Sequence, residues 1–248
     1  MVKRVETTPN VHRQLPETAG TCSPARALLV GNSDGIGLAM TKRLLAKGWS
    51  IIGVSRSDSQ VESPVYRHTV LDVGESRYSE LLGELVRDVP LDLCIYFAGT
   101  GAFLDLADMS AEARVFDVNL TGMVRTAAAV IPQMVRRGQG HFIGVSSVAD
   151  ELLSAEAPSY YASKAGFSSY LGGLALALKK KGVHVTNVRF GFVDTKMAKG
   201  EKKPFMMSVE KAVDHLETCI RKRPARHTAP LVAVPLVKFR KFVMSLAR

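Results

Sequence analysis

Residues 27–48, ALLVGNSDGIGLAMTKRLLAKG, change periodicity across a glycine-rich turn. ALLVG is a short apolar run that stops at Gly31, as a strand buried on both faces reads. From Gly35 onward, Ile36, Met40, Leu44 and Leu45 recur at helical spacing until Gly48 closes the helix. A strand that feeds a helix in this way returns to its sheet through a right-handed crossover, so the next strand runs parallel to the first.

The unit repeats. SIIGVS (50–55), YRHTVLD (66–72), LDLCIYFAG (91–99), HFIGVSS (141–147) and GVHVTNVRF (182–190) read as further strands. RYSELLGELVRD (77–88) and the segments at about 110–137, 158–181 and 209–224 read as helices. This alternation predicts the α/β class: a single-domain, doubly wound parallel sheet with helices on both faces, a Rossmann fold. The 248 residues and a hydrophobic content of 46% suit one large domain. Residues 1–24 are polar and turn-rich and read as an extension, and residues 25–248 as the domain, with a basic segment at 196–248.

Gly31, Gly35 and Gly37 stand in the spacing GxxxGxG between the first strand and the first helix. Glycines there let the chain turn tightly and approach a pyrophosphate, which the free N–H groups and positive end of the helix would hold. The second strand ends in Ser55 and Arg56. That strand end approaches the adenosine ribose of a dinucleotide. A carboxylate there suits the 2′-hydroxyl of NAD(H), and an arginine suits the 2′-phosphate of NADP(H). NADP(H) is therefore expected ahead of NAD(H), although Asp34 inside the loop works against added negative charge.

APSYYASKAG (157–166) sets two tyrosines ahead of a lysine. On a helix, i,i+3 and i,i+4 neighbours share a face, so spacing alone allows either Tyr160 or Tyr161 beside Lys164. Ser146 and Ser147 pose a similar choice: alternation along a strand turns them to opposite faces, so only one can serve a given site.

Taken in order, these segments resemble the short-chain dehydrogenase/reductase family over about residues 27–195. The resemblance implies a coenzyme loop at Gly31-xxx-Gly35-Ile36-Gly37, with Ser33 inside it, and an adenine-contacting pair at Asp72-Val73. Phe97-Ala98-Gly99 stands where the family has Asn-Asn-Ala-Gly, which places Ala98 and Gly99 at the cofactor. Asn119 in VFDVNLTG, Ser147 in GVSSVAD and Tyr160-xxx-Lys164 match the family's catalytic set. Gly191, Val193 and Thr195 in RFGFVDT match the segment that closes over the nicotinamide. The family pattern Tyr-x-Ala-Ser-Lys selects Tyr160 over Tyr161, and the usual separation of 13 residues before that tyrosine selects Ser147 over Ser146. Two positions depart from the pattern: Tyr96-Phe97 replaces paired asparagines that help steady the central strand, and Phe190 replaces a proline before Gly191.

By this resemblance the protein is an NADP(H)-dependent oxidoreductase that interconverts a carbonyl and an alcohol by hydride transfer. Tyr160 would exchange the proton, its pKa lowered from near 10 by Lys164 and the positive nicotinamide. Ser147 would stabilise charge on the carbonyl oxygen, Lys164 would bond the nicotinamide ribose, and Asn119 would hold a water linking Lys164 to solvent. The rival reading is a non-catalytic NADP(H) sensor, which need not keep these four residues. Phe103, Leu104, Leu152, Leu153, Met197, Phe205, Met206 and Met207 fall in loops beyond the strand ends and suggest an apolar substrate, or else ordinary packing. Family members are often dimers or tetramers.

The net charge of +10 is concentrated late in the chain: residues 196–248 hold 13 of the 33 Lys and Arg but 4 of the 23 Asp and Glu. That segment carries no recognisable nucleic-acid motif, so such a partner is not expected. Its last stretch, with Lys238, Arg240, Lys241 and Arg248 among apolar residues, reads first as a packed strand and helix or an oligomer contact. Peripheral contact with anionic lipid is the second reading. Cys22, Cys94 and Cys219 lie far apart without a CxxC pair. Neither a disulfide framework nor a metal site is expected, and a reducing, cytoplasmic setting fits. The first 20 residues do not read as a secretory signal, and no run approaches the roughly 18 apolar residues of a spanning helix.

Overall fold

The computed structural model describes residues 24–198, 205–232 and 235. The strands are β1 (Arg26–Val30), β2 (Ser50–Ser55), β3 (Tyr66–Val70), β4 (Leu93–Tyr96), β5 (Gly140–Ser147), β6 (Val183–Phe190) and β7 (Arg226–Ala229). The helices are α1 (Gly35–Ala46), α2 (Tyr78–Val86), α3 (Ser110–Phe116), α4 (Gly122–Arg137), α5 (Pro158–Leu178) and α6 (Val209–Lys222). All seven strands pair in parallel in the order β3-β2-β1-β4-β5-β6-β7. The order reverses between β1 and β4, and at such a switch a crevice opens beyond the C-terminal ends of the strands.

The apolar central strands β1 and β4 follow from covering both faces of the sheet. In β1, Leu28 and Val30 join one buried layer with Leu82 of α2, Met123 of α4 and Phe167 of α5. Ala27 and Leu29 join the other, with Met40 and Leu44 of α1 and Leu216 of α6. Strand β4 alternates likewise: Cys94 and Tyr96 face the first layer, Leu93 and Ile95 the second. Cys94 and Cys219 therefore lie in opposite layers.

The structure departs from the sequence expectation in two places and fills in a third. The helix expected over 110–137 is two helices joined by a π-helical turn at Asp117–Thr121. The strand expected over 91–99 ends at Tyr96, where the Phe97 and Ala98 N–H groups both donate to the Val30 carbonyl (2.7 and 3.1 Å) and the chain turns out of the sheet. An edge strand, β7, forms from Arg226–Ala229, at the start of the basic stretch whose first reading is a packed strand and helix, with no bounds set for that strand. The N-terminal extension, Cys22 and the basic residues from 238 onward lie outside the described residues. None of the described helices is long and apolar enough to cross a membrane.

Candidate active site

The crevice is floored by the turn from β1 to α1. Gly31 has φ +83°, and a Cβ there would stand 2.5 Å from the Ala98 nitrogen; one on Gly37 would stand 2.3 Å from the Gly31 carbonyl oxygen. A side chain at either position would collide with that backbone, so only glycine lets the turn pack this tightly in front of α1. Ser33 is half-buried in the turn, and Ile36 packs down into the core. Asp34 caps the helix, its Oδ1 accepting from Gly35 N at 2.8 Å.

The opposite wall is the segment after β6. The Gly191 N–H donates to the Ala229 carbonyl (2.9 Å), Val193 pairs with Met207, and the Thr195 methyl would lie 3.3 Å from a Cβ on Gly35. Lys196 Nζ stands 2.7 Å from Asp34 Oδ2 across the gap. Hydrogen bonds from Lys196 and then from Gly35 N–H hold the Asp34 carboxyl below its ordinary pKa. The carboxylate that counted against a phosphate thus has a cation beside it, a pairing that the sequence reading missed because 162 positions separate the two residues.

At the outer end, Ser55 is buried at the tip of β2 and Arg56 is exposed. Asp72 accepts from Gly74 N (2.9 Å) and from Arg114 of α3 (2.5 Å). Burial pushes the Asp72 carboxyl up, but Arg114 and the Gly74 N–H outweigh it and hold the group below its usual range. Val73 points into the core.

The inner end gathers Asn119, Ser147, Tyr160 and Lys164. Ser147 Oγ accepts from Ala149 N (3.1 Å) and lies near enough to Tyr160 to lower its pKa, while Ser146 turns away to Ser168 (Oγ–Oγ 3.0 Å). Tyr161 stacks edge-on against Tyr160, with ring centroids 5.9 Å apart. Lys164 is buried; its Nζ donates to the Val145 carbonyl (3.4 Å) and lies 5.9 Å from the centre of the Tyr160 ring and 5.0 Å from that of Phe167. A Cβ on Gly99 would be 3.6 Å from Lys164 Nζ and 3.5 Å from Asn119 Oδ1, so the exit of β4 meets both side chains.

Asn119 sits in the π-helical turn. Its Oδ1 accepts from Thr100 N (2.8 Å), and its Nδ2 donates to the Thr100 carbonyl (2.9 Å) and to Ser163 Oγ (3.0 Å). The amide therefore clamps the β4 exit to α5. Tyr96, one of the two departures, supports the same turn: its buried hydroxyl donates to the Val118 carbonyl at 2.6 Å. Phe190, the other, ends β6 and packs beside His215. The sequence reading missed the part played by Tyr96, and also Arg189, whose buried guanidinium grips Asp150 in the turn after Ser147 (Nε–Oδ2 2.7 Å).

The lowered Tyr160 pKa is expected with the positive nicotinamide in place; the free site differs. In the free site Tyr160 titrates above its ordinary value, because burial raises it more than Ser147 lowers it, and Tyr161 raises it further. Burial also pulls Lys164 down to about 8, against a small opposing effect of Asp150. Desolvation disfavours charge on both groups. Of the apolar residues in the loops, Phe103, Leu153, Met197 and Phe205 are exposed, whereas Met207 belongs to the core.

A family model described as short chain dehydrogenase matches residues 25–204. The chain belongs to that family. An uncharacterized oxidoreductase of Myxococcus xanthus is 30% identical to this dehydrogenase over 225 residues, 84% of this chain and 89% of the relative. A short-chain dehydrogenase from Streptomyces avermitilis superposes with a TM-score of 0.79 at 22% identity, covering 91% of this chain and 95% of the other. One from Burkholderia cenocepacia, in complex with NADP, gives 0.78 at 22% identity, with 87% and 92% covered. This dehydrogenase is accordingly an oxidoreductase of the family.

Proposed function

We propose that the protein interconverts a carbonyl and an alcohol with NADP(H), with Tyr160 as proton donor and acceptor. The observation that carries this reading is the convergence of Tyr160, its neighbour Ser147 and the buried Lys164 beside Gly99, at one end of the glycine-rich turn. That turn, a cradle in front of α1, fits a dinucleotide. Backbone at Gly31, Ser33, Gly35, Ile36 and Gly37 would hold the pyrophosphate, and Asp72 and Val73 would flank the adenine. Ser55 and Arg56 would hold the 2′-phosphate. Ala98, Gly99, Gly191, Val193, Thr195 and Lys164 would surround the nicotinamide ribonucleotide. When bound, the cofactor supplies or accepts the hydride.

Tyr160 passes its proton to the substrate oxygen, and Ser147 donates a hydrogen bond to the same oxygen as charge develops. Lys164 lowers the cost of the resulting phenolate. Asn119 holds Thr100 and α5 in register; with its amide so engaged, a water at this residue falls to its main chain. Arg56 supports NADP(H) over NAD(H) by charge. The exposed Phe103, Leu153, Met197 and Phe205 support an apolar carbonyl substrate.

NADPH oxidation against a panel of ketones, aldehydes and quinones tests the reading. Tyr160→Phe should lower kcat by about 10²–10⁴-fold, and Tyr161→Phe should stay within a few-fold. Tight NADPH binding with no turnover on the whole panel would mean a substrate outside the panel or a sensor, and would move the weight sharply to the sensor.

A further inference from the structure

Beneath the cradle runs a chain of hydrogen bonds. Thr41 on α1 donates its hydroxyl proton to the Gly37 carbonyl (2.9 Å), so its oxygen accepts from Asn32 Nδ2 (3.1 Å). The second amide hydrogen of Asn32 goes to the Tyr66 hydroxyl (2.9 Å). That oxygen is an acceptor there, and its proton goes on to His68 Nδ1 (2.9 Å). His68 carries its own proton on Nε2, which faces the Ser57 carbonyl (3.1 Å) and Ser55 Oγ (3.2 Å). The Ser55 hydroxyl in turn donates to the Ser57 carbonyl (3.0 Å). The Ser57 carbonyl only accepts, which is what places a proton on the Nε2 facing it.

The chain begins at the third glycine of the cradle and ends on the turn that carries Arg56. Asn32 and Thr41 are fully buried, and Tyr66 and Ser55 nearly so. The space for it comes from β2, where a Cβ on Gly53 would lie 2.5 Å from both Asn32 Nδ2 and the Tyr66 oxygen. Arg56 itself is exposed, but His68 grips the residues on both sides of it. A long, exposed side chain samples many positions, and fixing its backbone removes part of that freedom before a ligand arrives.

We propose that His68 is a specificity-determining positioning residue: it holds the Ser55–Ser57 turn so that Arg56 meets the 2′-phosphate of NADP(H). The proposal rests on the NADP(H) reading above. NAD(H) lacks that phosphate, so the turn's geometry matters to one dinucleotide and not to the other.

Equilibrium binding of NADP⁺ and of NAD⁺, measured by calorimetry without substrate, tests it on the wild type, His68→Leu, His68→Asn and His68→Gln. Leucine removes the donor, and asparagine is too short to reach Ser57. Each should weaken NADP⁺ about tenfold, the effect of losing one hydrogen bond, and leave NAD⁺ within about twofold. Glutamine keeps an N–H at the Nε2 position and should restore most of the loss. Asparagine serves as the probe if leucine compromises folding, which thermal melts would reveal. Equal weakening of both dinucleotides, or an unchanged NADP⁺ affinity, would overturn the role of His68 while leaving the cofactor reading intact. A wild type with no preference for NADP⁺ would overturn that reading and this inference with it.

Discussion

Lys164 sits in the free protein at an energetic disadvantage. Its ammonium is buried against two aromatic rings and the Val145 carbonyl, and burial brings its pKa to about 8 from 10.5. A lysine with a lower pKa folded than unfolded destabilises the fold at neutral pH. The penalty is fully present below pH 8 and is relieved as pH rises through the folded value toward the unfolded one, because the unfolded chain then binds more protons. Lys164→Met should therefore stabilise the cofactor-free protein at pH 7 by about 2 kcal/mol, allowing for the lost contacts. That corresponds to roughly 4–8 °C in Tm for a chain of this size. The gain should shrink by pH 9.5. Thermal melts at both pH values check this; a variant less stable at pH 7, or a gain that grows with pH, would sink it. The identities of Ser147, Tyr160 and Lys164 were legible as a pattern. The direction of the Tyr160 shift was not, because it depends on how deeply the hydroxyl is buried, and spacing carries no information on depth.

At the level of elements, the turn after β5 is held from outside as well as by its own cap. Ser147 Oγ accepts from Ala149 N at 3.1 Å, and Arg189 of β6 binds Asp150 through two nitrogens and Glu151 at 2.8 Å. Arg189 and Asp150 are 5% and 2% exposed at their side chains, so breaking the pair strands a buried charge. Arg189→Met should cost about 3–5 kcal/mol in urea unfolding. Adding Asp150→Leu should recover a large part of that loss, since two apolar side chains then meet; strictly additive losses would show that the two residues act separately. The sequence could not announce this pair, for Arg189 and Asp150 are 39 residues apart and nothing in the spacing of β6 marks its partner. The same holds for the π-helical turn. Apolar spacing continues almost unbroken from Val115 to Met134, so periodicity reads one helix, and only the long-range bonds of Asn119 and Tyr96 reveal the extra residue. The alternating strands and helices were legible because burial on two faces imposes apolar runs. The position of strand β7 was not, because its residues RHTA are polar and earn their place only by pairing with β6.

For the whole molecule, the strand order puts the two halves of the chain on opposite sides of the ligand crevice. The cradle and the Arg56 turn come from β1 and β2, while Asn119, Ser147, Tyr160, Lys164 and the Thr195 segment come from β4 to β6 and their connections. A dinucleotide lying across the switch between β1 and β4 would touch both halves, so its binding energy should stabilise them together. A ligand at 100 times its Kd adds about 2.7 kcal/mol if it binds only the folded state. For this length of chain that is roughly 5–10 °C in Tm. The single tryptophan, Trp49, packs on the core just before β2, within the first half, whereas far-UV circular dichroism reports on all the helices. With NADP⁺ at 100 times its Kd, both transitions should move up by the same amount. At that same concentration NAD⁺ should move them less. A Trp49 transition that shifts without the dichroism transition would mean that the ligand engages the first half alone, and the crevice spanning the switch point would not be the site.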